Sequence, residues 1–178
     1  MNFDNNDIRT TNLNIQKVEL DDFYHHYLYT DQIRNGDPYT YNPDINGDFL
    51  VRSIQGNDSS IEADYAYVHF RIPYETMLAF DRVYVIGKFN NYKISDEYEL
   101  IFNKKTGLFE GSAAIKQGFY NYKYVTVDSE GYVNDTKISG SRYETENNYT
   151  VLVYYRRFGD QYDSLIGVGV GDSSVITN

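Results

Sequence analysis

The chain has 178 residues, of which 41% are apolar, so it is long enough to bury a substantial core. Its formal net charge of −10 makes nucleic acid a poor partner, because binding would gain nothing from neutralising phosphates, and it disfavours an anionic membrane surface in the same way. The absence of cysteine excludes disulfides, thiolate zinc sites and cysteine nucleophiles.

The start of the chain does not have the pattern of a secretion signal. Residues 1–6 lack both the basic region and the apolar region of a signal peptide. No stretch approaches the length needed to cross a bilayer, so we predict no membrane insertion. We therefore expect either a cytoplasmic protein or an excised piece of a longer one, with Met1 added.

Aromatic residues dominate the apolar fraction, with 20 Tyr and 10 Phe, and such side chains favour strands. Asp21-Asp22 and Asn46-Gly47 are typical of turns, and residues 55–62 are polar and predict a loop. The Gly/Ser-rich residues 167–178 predict a flexible tail. In chain order, apolar runs and period-two alternation predict strands at residues 13–20, 23–29, 49–51, 65–72, 83–87, 98–102, 108–115, 119–127 and 149–155.

Short strands at near-regular spacing, with turn signals between them, predict an all-β sandwich or barrel. We predict a single domain over residues 1–178. Its sandwich core covers residues 65–166, residues 1–64 add strands and hairpins packed on that core, and residues 167–178 form the tail.

The residue patterns predict no catalytic, metal or cofactor site. The run from Asp44 to Asp48 is oxygen-rich, but its glycine falls at the wrong offset for a calcium-binding loop, so a hairpin turn is favoured. His25 and His26 are adjacent on a strand, point to opposite faces and cannot share one ion. His69 stands alone. An acidic pair of the glycosidase type stays open as a distant alternative, because carboxyl separation is a three-dimensional property.

One segment carries a recognisable motif. Val83-Tyr84-Val85-Ile86-Gly87-Lys88-Phe89-Asn90-Asn91-Tyr92 is followed by Gly107-Leu108-Phe109-Glu110-Gly111, then by a strand from Gly118 to Val125 and a turn from Asp128 to Tyr132. This order resembles the glycogen-binding, early-set immunoglobulin-like domains of AMP-activated kinase β subunits and starch-branching enzymes. The resemblance covers about residues 65–157 and implies an immunoglobulin-like sandwich of early-set type.

In that family, aromatic rings stack on sugars and a lysine reaches a hydroxyl group. The positions that match are Tyr92, Lys123 and Tyr132, so the resemblance implies a candidate sugar-stacking surface there. This sequence departs from the pattern because tyrosine replaces both tryptophans, and the smaller ring offers less area to bury.

A second resemblance runs through nearly the whole chain. Five segments recur in order, at residues 41–49, 62–70, 115–124, 143–156 and 162–167. Together they resemble the C-terminal domain of the type IX secretion system plug proteins of Bacteroidota. The fourth segment contains Glu144-Thr145-Glu146-Asn147, where polar side chains are expected to bond at the start of a strand.

The second resemblance implies a periplasmic protein that closes the outer-membrane translocon of this secretion system. It also implies that the chain is a fragment whose upstream domains and signal peptide are missing. The leading hypothesis is therefore a non-enzymatic interaction domain whose partner is the translocon. The alternative is a carbohydrate-binding module, with a glycan as its ligand.

Overall fold

The computed structural model describes residues 1–38, 45–142 and 147–172. Contacts between Cα atoms divide the chain into two compact units, Met1–Ser141 and Arg142–Asn178. The predicted boundaries differ from this division, since the predicted sandwich core ended at residue 166 and the first unit ends at Ser141. The segments 41–44 and 143–146, which belong to the motifs above, lie outside the described residues.

Eleven strands form the described part of the first unit. They are β1 (Asn2–Asp4), β2 (Ile15–Leu20), β3 (Tyr24–Leu28), β4 (Phe49–Val51), β5 (Tyr65–Pro73), β6 (Arg82–Ile86), β7 (Glu99–Asn103), β8 (Leu108–Lys116), β9 (Gly118–Asn121), β10 (Lys123–Val127) and β11 (Val133–Asn134). Helical structure in this part is limited to one short α-helix, α1 (Ser59–Glu62), and 3₁₀ turns at Thr76–Leu78, Lys88–Asn90 and Asp96–Tyr98. None of these helices is long and apolar enough to cross a membrane.

Eight of the strands form one sheet, in the order β11-β10-β6-β7-β8-β5-β3-β2. All neighbours in it are antiparallel except β3 and β5, which run parallel. The remaining three form a second sheet, in the order β1-β9-β4. The prediction of an all-β, sandwich-like fold is confirmed, while the immunoglobulin-like, early-set assignment stays a prediction.

The core of the first unit contains side chains from both sheets. The alternation predicted for β5 is confirmed, because Val68, Phe70 and Ile72 are buried while Tyr65 and Tyr67 are exposed. Phe3 of the three-stranded sheet stacks on Tyr120 at 5.2 Å and meets Phe70 edge-on at 6.1 Å. The contact of Phe3 with Phe70 joins the two sheets, whereas the stack of Phe3 on Tyr120 lies within the three-stranded sheet; both add to the free energy gained from burial.

The second unit contains one antiparallel hairpin, made of β12 (Asn148–Tyr155) and β13 (Ser164–Asp172). The prediction of a flexible tail from residue 167 is wrong for residues 167–172. They pair with residues 148–153, because a glycine-rich segment still supplies a backbone ladder of donors and acceptors. Residues 173–178 lie outside the described part of the chain.

One carboxylate sits in the polar part of the core. The hydroxyls of Tyr122 and Tyr124 donate to Oδ2 of Asp31 at 2.8 and 2.7 Å. Burial raises the pKa of Asp31 above its ordinary value, and the two hydrogen bonds offset part of that effect. Both tyrosines are buried, so Asp31 supplies the acceptor that their hydroxyls need.

Replacing Asp31 by Asn tests this carboxylate. Because the pKa of Asp31 is higher in the folded state, its contribution to stability is complete below about pH 4 and is lost as the pH rises through the raised value. The Asn amide oxygen can accept from both tyrosines without carrying charge. In urea unfolding, we expect the stability of Asp31→Asn relative to the parent protein to increase as the pH rises from about pH 4 through the raised pKa of Asp31.

The matched control is Asp31→Ala, which leaves two buried hydroxyls without an acceptor. It should lose about 1–3 kcal/mol relative to Asp31→Asn throughout that range. A difference between parent and Asp31→Asn that does not change with pH would contradict the raised pKa.

Candidate functional site

The first motif forms a tight turn directly after β6, and the geometry of that turn accounts for its glycine and asparagine. The Gly87 N–H donates to Oδ1 of Asn90 at 3.0 Å, which closes the 3₁₀ turn that follows. A Cβ at Gly87 would lie 2.7 Å from the Asn121 carbonyl oxygen and 2.6 Å from the Phe89 ring, so only glycine fits there. The glycine, phenylalanine and asparagine of the motif therefore build a tight turn that presents Tyr92.

Tyr92 is held in an unusual backbone conformation. Both Asn91 and Tyr92 have positive φ, at 53° and 55°, a region that costs free energy for a bulky residue. The Tyr92 hydroxyl donates to the Gly47 carbonyl oxygen at 2.8 Å, and its N–H donates to the Gly87 carbonyl oxygen at 2.9 Å. The ring remains 48% exposed. Tyr92 therefore secures the turn around Gly47 while keeping part of its ring in solvent.

The turn at residues 45–48 is fixed by further contacts. Oδ1 of Asn121 accepts from the N–H groups of Ile45 and Gly47, each at 3.1 Å. Lys88 forms an ion pair with Asp48 at 2.7 Å, which lowers the pKa of Asp48. Positive φ at both Asn46 and Gly47 confirms the predicted turn.

Lys123 and Tyr132, the other two predicted sugar-contacting residues, lie on or next to β10. Nζ of Lys123 forms an ion pair with Asp135 at 2.9 Å, and this partner lowers the pKa of Asp135. Tyr132 ends a turn in which Oδ1 of Asp128 accepts from the Tyr132 N–H at 2.9 Å. Its ring is 69% exposed.

No contact between described residues joins any two of Tyr92, Lys123 and Tyr132. On the sheet face that carries Lys123, Tyr84, Ile86 and Val125 form a small buried cluster. The two rings are exposed as a sugar-binding role requires, but the lysine is already paired. Lys123 lies opposite Ile86, directly before the turn that presents Tyr92, and the sugar-stacking surface stays a prediction.

A different set of side chains does come together on the solvent-facing side of β3 and β5. The parallel register places Tyr67 beside His25 and His69 beside Tyr27. Tyr27 stacks on His69 with ring centroids 4.2 Å apart, and His25 stacks on Tyr67 at 5.3 Å. Phe23 meets Tyr67 edge-on at 6.0 Å. We call these five residues the ring ladder.

Two histidines lie in contact at the middle of the ring ladder. Nδ1 of His25 and Nε2 of His69 are 2.9 Å apart, a hydrogen-bond distance at which one nitrogen carries the proton. Burial lowers the pKa of His69 to about 4, with smaller contributions from the charges of His25 and Arg71. His69 is therefore a neutral base at neutral pH.

Two shallow depressions adjoin the ring ladder along β2. One has a volume of about 340 Å³, and its lining residues are Glu19, Leu20, Asp21, His25 and Tyr27. The other, of about 580 Å³, is lined by Gln16, Lys17, Glu19, Tyr27 and Arg71. Both depressions are lined mainly by polar side chains, so this side of the sheet is better suited to a small charged ligand than to an apolar one.

The sequence-based expectation that His69 stands alone is wrong. His25 and His69 are 44 residues apart, and only the parallel pairing of β3 with β5 brings them together. The period-two alternation of side chains shows which residues share a face of one strand. It does not show which strands are neighbours in the sheet. The expectation that His25 and His26 point to opposite faces of their strand is confirmed. His26 is buried, and its Nε2 lies 2.8 Å from the Ile8 carbonyl oxygen, whereas His25 lies on the solvent-facing side.

In the described parts of the chain, no group of three or more His, Asp or Glu side chains is arranged to hold a metal ion. The two imidazoles of the ring ladder fall one ligand short of such a group.

The hairpin of the second unit exposes apolar side chains on both of its faces. Leu152, Val168 and Val170 share one face, and Val151 and Val153 lie on the other, all of them exposed. Three strand glycines, Gly167, Gly169 and Gly171, lie opposite Val153, Val151 and Tyr149.

A Cβ at Gly169 or Gly171 would meet no atom of the described residues within 4 Å. Steric contacts with the described residues therefore do not account for these two glycines. Glycine within a strand often marks a place where another backbone approaches closely.

Comparison with known proteins supports the fold. No protein-family model matches the chain, and no curated protein matches it. A crystal structure of a hypothetical protein from Parabacteroides merdae is similar, with a TM-score of 0.83 and 30% sequence identity. The match covers 97% of this chain and 44% of the other, so the chain spans less than half the length of that protein.

The hydroxyl of Tyr92 provides a test of the turn that it secures. Tyr92→Phe keeps the ring but removes the hydrogen bond to the Gly47 carbonyl oxygen. We expect a loss of about 1 kcal/mol in urea unfolding, and faster hydrogen exchange in residues 45–48. The control is Tyr132→Phe, for whose hydroxyl the described residues supply no partner, and it should change stability by less than about 0.5 kcal/mol. Equal effects of the two substitutions would contradict the assignment.

Proposed function

We propose that this chain is a non-enzymatic interaction domain of a periplasmic plug protein that closes the outer-membrane translocon of the type IX secretion system. The five segments at residues 41–49, 62–70, 115–124, 143–156 and 162–167 support the proposal by their resemblance to that family. The similar structure from Parabacteroides merdae, a species of the same phylum, supports the fold within that group of bacteria.

The observation that carries the proposal is the exposure of the hairpin formed by β12 and β13. Its apolar side chains include Tyr149, Val151, Leu152, Val153, Tyr154, Val168 and Val170, all of them exposed. Exposed apolar side chains clustered on a strand pair are typical of a protein-binding site. Two of the five family-like segments overlap this hairpin: one contains β12, at residues 148–155, and the other contains the start of β13, at residues 164–167.

The composition of the hairpin also fits a docking role. Tyrosine and arginine contribute much of the binding free energy at protein interfaces. Tyr154 and Tyr155 end β12, and Arg156 follows directly, held by Asp163 through two hydrogen bonds of 2.8 and 3.0 Å. This ion pair fixes the guanidinium beside the apolar surface, so the hairpin presents both types of side chain in a defined arrangement.

Substitutions in the hairpin test this contact surface. We expect Val151→Asp or Leu152→Asp, placed in the full-length protein, to reduce co-purification with the outer-membrane translocon. Each buries a charge if its face of the hairpin is the one that docks, which costs about 2 kcal/mol or more and weakens binding about thirtyfold. Because the two residues point to opposite faces, comparing them identifies the docking face.

The matched control is Ile61→Asp in α1, which changes an apolar side chain of the first unit that is more exposed than Val151 or Leu152. Co-purification and crosslinking mass spectrometry in the native envelope provide the measurement. If both hairpin variants retain the translocon as well as Ile61→Asp does, the hairpin is not the contact surface. If the parent protein yields no crosslink to the translocon, the plug role itself is wrong.

A carbohydrate-binding role is the second proposal, because the rings of Tyr92 and Tyr132 are both exposed. If it is correct, Tyr92→Ala and Tyr132→Ala should each abolish retardation of the chain in a glucan-containing native gel. Stacking on one ring contributes about 1 kcal/mol or more, which a weak site cannot lose without releasing the sugar. The control is Tyr162→Ala, which removes a ring that is also exposed. Absence of retardation for the parent chain, or its persistence in both variants, contradicts this role.

A further inference from the structure

The chain contains the sequence Asn-Gly-Asp twice, at residues 35–37 and 46–48. An asparagine that precedes a glycine can lose its side-chain amide, because the glycine has no side chain to shield its backbone nitrogen. The residues that take part in this reaction are identical in the two copies. A difference in rate between them must therefore come mainly from the folded structure.

The reaction joins the asparagine side chain to the backbone of the next residue. Hydroxide removes the proton from the glycine N–H, and the nitrogen then attacks Cγ of the asparagine. The bond from Cγ to Nδ2 breaks, and Nδ2 takes up a proton and leaves as ammonia. Water opens the resulting succinimide ring at one of its two carbonyl carbons. The products are aspartate and isoaspartate, and in the latter the main chain passes through the former side chain.

The first copy lies in an exposed turn. The Asp37 N–H donates to the Arg34 carbonyl oxygen at 3.2 Å, and Gly36 has a φ of 93°. Asn35 and Gly36 are both exposed, and no described residue forms a hydrogen bond with the Gly36 N–H or the Asn35 side chain. A Cβ at Gly36 would meet no atom of the described residues within 4 Å. The approach to the Gly36 nitrogen is therefore open.

The second copy has the same closing hydrogen bond, because the Asp48 N–H donates to the Ile45 carbonyl oxygen at 3.1 Å. Here, however, the Gly47 N–H donates to Oδ1 of Asn121 at 3.1 Å. This acceptor is itself fixed, since Asn121 is buried and its N–H donates to the Asp48 carbonyl oxygen at 3.1 Å. The Tyr92 hydroxyl also covers the glycine, because a Cβ at Gly47 would lie 2.8 Å from its oxygen.

These contacts slow the reaction at the second copy. A hydrogen-bonded N–H loses its proton to solvent only through local opening, so the bond from Gly47 to Asn121 must break first. Opening of this turn also breaks the hydrogen bond from the Tyr92 hydroxyl to the Gly47 carbonyl oxygen. The Gly36 N–H requires no such opening.

We propose that Asn35 is a site of spontaneous deamidation and isomerisation, and that Asn121 protects Asn46 from the same reaction. Conversion of Asn35 adds one negative charge to the formal net charge of −10. Isoaspartate also lengthens the main chain directly after Arg34, whose N–H donates to the carbonyl oxygen of the buried Ile138 at 2.8 Å. The reaction therefore alters the segment between β3 and β4 where it is attached to the core. This modification site does not depend on the docking role of the hairpin.

Incubation of the folded chain in a warm, mildly alkaline buffer, followed by chymotrypsin digestion and mass spectrometry, measures both sites. Cleavage after tyrosine and phenylalanine places Asn35 and Asn46 in separate peptides, residues 30–39 and 42–49. We expect Asn35 to lose its amide at least about tenfold faster than Asn46, since a factor of about ten in rate corresponds to the free energy of one hydrogen bond. Chromatographic separation of the aspartate and isoaspartate forms of the first peptide measures the isomerisation.

The control is the same chain incubated in urea, where the two copies should react at nearly equal rates because the protecting contacts are absent. The proposal is overturned if Asn46 reacts as fast as Asn35 in the folded chain. It is also overturned if the difference persists in urea, or if neither site reacts in the folded chain while both react in urea. This comparison uses the parent chain and needs no substitution.

Substitutions of Asn121 test the protecting contact itself. Asn121→Ala removes the acceptor of the Gly47 N–H and should raise the rate at Asn46 by up to about tenfold. The matched control is Asn121→Asp, which keeps an acceptor oxygen and should leave Asn46 protected. Neither should change the rate at Asn35. If folded Asn121→Ala reacts at Asn46 no faster than the parent chain, the protecting role of Asn121 is wrong.

Discussion

The parallel pairing of β3 with β5 determines what lies on each side of the large sheet. Parallel neighbours cannot be joined by a tight turn, so the chain must cross over between them. Residues 29–64 make that crossover, and on the way they supply β4 to the second sheet. The pairing thus brings β2 and β3 into the large sheet, while β4, which follows them in the chain, joins the second sheet.

The same register sets the chemistry of the two sides of β3. Val68 lies beside His26 on the side that faces the core, where both are buried. Tyr67 and His69 lie beside His25 and Tyr27 on the solvent-facing side. A shift of one residue would exchange these sets, which would bury the polar ring ladder and expose the core. The free energy of core burial therefore also positions the histidine pair, although neither His25 nor His69 is buried in that core.

Strand positions could be read from the sequence wherever one side of a strand is wet and the other is dry. For β5 and β8 the period-two pattern predicted the observed strands to within a residue, because burial in the folded chain follows that pattern. β1 was missed since three residues are too few to show a period. β13 was missed because alternating glycines are typical of loops and give no apolar signal, although their backbone pairs normally.

The candidate sites were less predictable than the strands because they depend on which strands are neighbours. Tyr92 and Tyr132 could be named from motif positions, and both proved to be exposed. The ion pair of Lys123 with Asp135 was not predictable, since it follows from the pairing of β10 with the short β11. The contact between His25 and His69 depends in the same way on a pairing between distant strands, for which the sequence holds no local signal.

The tyrosines of this chain fall into two groups: some are buried in the core, and others lie exposed at the surface. The hydroxyls of Tyr120, Tyr122 and Tyr124 bond to the Lys116 carbonyl oxygen or to Asp31, so these rings fill the core while their polar ends are satisfied. In the ring ladder, by contrast, ring faces are occupied by neighbouring rings, which leaves mainly edges and nitrogens for a ligand. Tyrosine therefore fills the core where its hydroxyl has an acceptor, and lies at the surface where its ring packs on other rings.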